Sequence, residues 1–135
     1  MTGSSLTKII LEREPDASVW QAATALSEQI GQSSGSVCAE TFEALASARH
    51  EDTISAISTC LLEHLLEHDF SIFDALEKGI RDGNDRWLFA LSRCAKFGQS
   101  KLSSNSKRWD RLLDDHQVQL RAYAASVENN GGPLP

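Results

Sequence analysis

The sequence predicts an all-α fold, and three observations predict it. No proline lies between residues 16 and 132, so over a hundred consecutive residues are free of the side chain that removes a helical amide. Apolar residues recur at three- and four-residue spacing through most of that stretch. No segment sustains the period-two alternation of a half-buried strand. Six to seven helices in antiparallel hairpins follow, as a bundle or a short array of stacked helix pairs. They are expected to form one domain over residues 1–128, with a flexible tail over 129–135.

The elements follow in order. Leu6, Ile9 and Ile10 give residues 5–13 one apolar stripe, which Pro15 stops. Asp16 is placed to cap a helix reaching Ile30 through Val19, Ala23 and Leu26, with Gly31 as its left-handed stop. Residues 31–36 have loop composition, and Cys38, Phe42, Leu45 and Ala46 mark a helix ending near His50. Asp52 reads as the next N-cap. It opens the most apolar helix, residues 53–68, whose Ile54, Ile57, Leu61, Leu62, Leu65 and Leu66 predict the central core element. Ser71 and Asp74 have the spacing of a capping box for a helix through Phe73, Leu76 and Ile80. Asp82 to Asp85 form a turn; Trp87, Leu88, Leu91, Cys94 and Phe97 form the next helix, closed by Gly98. After a polar loop, Trp109, Leu113, His116, Leu120, Tyr123 and Val127 predict one last helix over residues 106–128 with a coiled-coil-like stripe. That stripe is a candidate homodimer contact.

Composition bounds the function. A chain of 135 residues buries about two thirds of its unfolded surface without needing disulfides or a structural metal. Cys38, Cys60 and Cys94 are odd in number and far apart, which points to reduced thiols and a cytoplasmic setting. Residues 1–13 mix Lys8, Glu12 and Arg13 with a short apolar run, unlike a secretory signal. No stretch is apolar for long enough to cross a membrane. The net charge of −6 is uneven: residues 51–85 carry nine acidic and two basic side chains, residues 86–135 four acidic and eight basic. An acidic middle opposes nucleic acid and membrane surfaces and attracts a basic protein.

Motifs with chemistry are few. His64-Leu65-Leu66-Glu67-His68 has the spacing of an inverted zincin, in which His64 and His68 bind a metal and Glu67 acts as base. That enzyme alternative needs a third ligand, with Glu77 and Glu128 the downstream candidates. Cys94, between Arg93 and Lys96, has cations that would lower a thiol pKa, but no histidine accompanies it. There is no nucleophile elbow and no phosphate-binding glycine loop, so neither a catalytic residue nor a cofactor is assigned. Arg86, Trp87, Arg93, Lys96, Lys101, Lys107, Arg108, Trp109 and Arg111 form a basic region with phosphate-binding character, although both tryptophans lie on apolar stripes. The remaining feature is acidic: Glu63, Glu67, Asp69, Asp74, Glu77, Asp82 and Asp85 read as a solvent-facing patch that docks a basic partner.

Residues 60–98 run from Cys-Leu-Leu-Glu-His-Leu-Leu-Glu-His-Asp-Phe to Trp-Leu-Phe-Ala-Leu-Ser-Arg-Cys-Ala-Lys-Phe-Gly. This segment, under a third of the chain, resembles small helical immunity proteins of bacterial interbacterial toxin systems. The resemblance implies a cytoplasmic, non-enzymatic protein that binds and neutralises a toxin domain such as a nuclease. It carries over no individual residue. A dimeric helical adaptor or regulator is the other alternative.

Overall fold

A computed structural model describes residues 5–129 and Leu134. Every regular element among the described residues is a helix: α1 (Ser5–Arg13), α2 (Ser18–Ser27), α3 (Ser34–Ser47), α4 (Glu51–Ile57), α5 (Glu63–His68), α6 (Ile72–Arg81), α7 (Asp85–Ser92), α8 (Ser103–Asp115) and α9 (Gln117–Asn129). A π-helical turn, Ser58–Leu62, joins α4 to α5, and a 3-10 turn, Gly98–Lys101, precedes α8.

Residues 51–68 form one unbroken rod at the centre, as the apolar density of that segment predicts. Ile54, Ile57, Leu61, Leu62, Leu65 and Leu66 are all fully buried. A helix apolar around so much of its circumference must be covered on several sides. Here α2 and α3 cover one side, α6 and α7 another, while α1 closes over α2 and α3. The aromatic rings weld outlying helices to this core: Phe42 meets Trp87 at 4.7 Å, Phe73 meets Trp109 at 6.2 Å and Phe89 meets Tyr123 at 5.2 Å.

Several local signals act differently from the sequence reading. Asp16 is not the N-cap, a position that Ala17 holds without a side-chain bond; Asp16 accepts the Ser18 amide and hydroxyl at 2.9 Å each just ahead of it, and Gly31 takes the left-handed conformation after α2 has ended at Ser27. Asp52 is not an N-cap. The rod starts one residue earlier, and the Asp52 carboxylate accepts the Trp20 indole N–H at 2.9 Å, a long-range bond that local pattern cannot reveal. Ser71 caps nothing; Asp69, two residues ahead of it, accepts its amide at 3.0 Å and its hydroxyl at 2.6 Å.

Two predicted helices are shorter than expected. The helix through Trp87 ends at Ser92, and Cys94 to Phe97 leave helical geometry. The last helix is two helices, broken at His116, whose Nδ1 lies 2.9 Å from the Leu112 carbonyl. The continuous stripe over residues 109–127 therefore does not exist. Trp109 and Leu112 face the core from α8, and α9 folds back onto α7 through Tyr123. Of the tail predicted over 129–135, Asn129 closes α9, Leu134 donates its amide to the Arg49 carbonyl at 2.9 Å, and the other residues lie outside the described ones.

Candidate functional site

The seven acidic residues expected to form one solvent-facing patch separate into four environments. Glu63 is buried, only 7% exposed, and its Oε1 accepts the Ala95 amide at 2.9 Å. This bond explains why α7 stops early: Ala95 spends its N–H on a carboxylate of the central rod instead of a helical carbonyl. Glu63 is thus a structural acceptor, contrary to the expectation that it faces solvent.

Asp74, Glu77 and Asp82 are paired within the chain. Arg108 of α8 reaches Glu77 at 2.6 Å and Asp74 at 2.8 Å, and Arg81 reaches Glu77 at 3.2 Å and Asp115 at 3.3 Å. Burial pushes the Glu77 carboxyl up, but the hydrogen bonds and charges of Arg108 and Arg81 outweigh it and hold the group below its ordinary range. Asp82 pairs with Lys78 at 3.0 Å. Asp85 lies in the first turn of α7, where the amide end of the helix favours a carboxylate.

Glu67 and Asp69 remain at one end of the molecule. There a shallow groove of about 310 Å3 is lined by Ser27, Glu28, Ile30, His64, Glu67 and His68. The C-terminal end of α2 forms one wall and α5 the other. His64 Nδ1 lies 2.9 Å from Glu67 Oε1, its Nε2 lies 3.8 Å from Glu63, and its ring stacks on Phe97 with centroids 6.0 Å apart. The His68 ring lies beside Gly31. Asp69 is exposed, and its bonds to Ser71 lower its pKa.

Glu28 is the groove residue that sequence reasoning missed. A signal was present: it sits just past the last turn of a helix, where a carboxylate opposes the helix dipole instead of complementing it. An acid in that position has no local reason to be there.

The His-x-x-Glu-His spacing produces a His64–Glu67 pair on one turn, with Glu67 bound to the ring it was expected to assist. Among the described residues, no group of three or more His, Cys, Asp or Glu side chains is arranged to hold a metal ion. The flanking cations do not activate Cys94. Burial and the nearby Glu63 charge push its thiol well above the ordinary range, despite a hydrogen bond to the Ser58 carbonyl at 3.5 Å.

The basic region is largely consumed by the fold. Arg86 Nη1 donates to the carbonyls of Leu45, Ala46 and Ala48 at 2.9, 3.0 and 2.7 Å, capping the end of α3. Arg93 pairs with Glu51, and Lys96 with Asp110 at 2.6 Å. Trp109 is buried in the core, and Trp87 is half-buried against Phe42. No protein-family model matches this chain, and neither curated proteins nor solved structures return a significant match.

Proposed function

We propose that the chain is a non-enzymatic protein-binding protein, an immunity protein acting in the cytoplasm that binds and neutralises a basic bacterial toxin domain such as a nuclease. One observation carries the reading. Asp74, Glu77 and Asp82 are neutralised by arginine and lysine within the fold, whereas Glu28 and Glu67, which line the groove, and Asp69, which follows α5, have no arginine or lysine in salt-bridge contact among the described residues. Exposed acidic charge without an arginine or lysine partner, in a domain of net charge −6, raises the encounter rate with a cationic surface. The docking surface is therefore narrower than the acidic middle as a whole and includes Glu28.

The test is to co-express the chain with the products of the genes flanking its own, scoring growth rescue and a stoichiometric complex on size exclusion. Rescue by the wild type, with complex formation that weakens at high salt, supports the reading. The absence of both rescue and a complex with every flanking product overturns it.

A further inference from the structure

We propose that the groove between the end of α2 and α5 is an arginine subsite that takes one guanidinium group from the partner. The proposal rests on the protein-binding reading above and deepens it by naming the contacting chemistry. Glu28 and Glu67 line the groove from opposite helices, and neither is paired with an arginine or lysine of this chain among the described residues. The wall bearing Glu28 is a helix C-terminus, where the backbone already carries partial negative charge. The carboxylate is thus set against its own helix, a conflict that an incoming cation relieves.

A planar surface adjoins the α5 wall of the groove. His64 lines the groove and stacks on Phe97 with 16° between the rings, and Phe97 remains 37% exposed. The phenyl ring is held in place from both sides. The Glu63–Ala95 bond fixes the chain before it, and Gly98 fixes the chain after it by lying so close to α5 that a Cβ there would be 2.8 Å from Glu67 Cγ and 2.9 Å from the Glu67 carbonyl oxygen. An exposed aromatic that does not enter the core, yet is stacked on the groove-lining His64 and followed by a glycine packed against Glu67, is preorganised for a guanidinium. A flat, weakly hydrated guanidinium stacks on rings and donates in a fork, which a compact ammonium cannot do. Ile30 supplies an apolar wall for the aliphatic stem. A space of about 310 Å3 suits one long side chain rather than an extended ligand.

The experiment titrates N-acetyl-arginine amide, and separately N-acetyl-lysine amide, into the 15N-labelled protein at low salt. Saturable shifts centred on Ile30, His64, Glu67 and His68 are expected, with arginine favoured about tenfold, the worth of one good planar contact. The double variant Glu28→Gln/Glu67→Gln should lose the arginine response while melting like the wild type, because neither carboxylate is buried. Phe97→Leu should keep binding but erase the preference for arginine. Shifts scattered over the acidic surface, equal affinity for the two ligands, or an unchanged response in the double variant would overturn the proposal. A toxin complex of undiminished affinity in the double variant would also overturn the subsite while leaving the immunity reading intact.

Discussion

Arg108 of α8 and Glu77 of α6 lie 31 positions apart and are joined at 2.6 Å, with the guanidinium also 5.0 Å from the centre of the Phe73 ring. This contact ties the basic last third of the chain to its acidic middle. Replacing Arg108 by Met should therefore destabilise the domain. A double-mutant cycle with Glu77→Gln should give a coupling of about 1 kcal/mol, near the upper end for partly exposed pairs. Additive effects in chemical denaturation would show that the pair is incidental.

Acid should weaken the fold through two glutamates. Glu14 accepts the amides of Arg49 at 2.6 Å and His50 at 2.9 Å; burial opposes its ionisation, but these bonds prevail and lower its pKa, as Arg108 does for Glu77. A carboxylate with a depressed folded-state pKa contributes stability that is fully present above the ordinary value of 4.5 and is lost as pH falls through the folded value. The melting temperature should fall with pH below that point, and Glu14→Gln and Glu77→Gln should each flatten the slope. A slope identical to the wild type in both variants would contradict the assignment.

Glu63 and Glu67 lie on the same helix but should respond differently to charge reversal. Glu63→Lys places an ammonium in a buried position and orphans the Ala95 amide, a loss of about 1–3 kcal/mol for the amide alone. Glu67→Lys changes a half-exposed residue and should leave the melting transition nearly intact. Equal destabilisation of the two variants would argue against the buried role of Glu63.

Gly79 on α6 is a contact glycine. A Cβ at this position would lie 2.4 Å from two carbons of the Trp87 ring, itself packed on Phe42. Gly79→Ala should cost about 1–3 kcal/mol by overpacking, although alanine is the better helix former. Thermal melts decide the sign, and a stabilised variant would mean that the ring moves freely.

Leu61→Asp or Leu65→Asp should abolish the cooperative transition, because each puts an unpaired carboxylate at a fully buried position of the central rod. Retention of a wild-type melt in either variant would overturn the core assignment.

The all-α class, the central place of residues 53–68 and the left-handed turn at Gly31 were legible in the sequence because they rest on short-range physics. Helical spacing, proline placement and left-handed glycines are local properties of a few neighbouring residues. The roles of the charged residues were not legible. Glu63 and Glu67 share one helix and one residue type, yet one is sealed under the Cys94–Phe97 segment and the other lines an open groove. Nothing within a helical turn of either residue distinguishes them. Likewise, no proline or glycine marks the break at His116, beyond which α9 packs against α7. Glu77 and Arg108 read as members of separate acidic and basic surfaces until folding brings them together. Sequence alone determined the helical class and which helix is most apolar. Tertiary structure decided which charges neutralise one another and which stay free, because pairing depends on through-space distances between residues more than thirty positions apart.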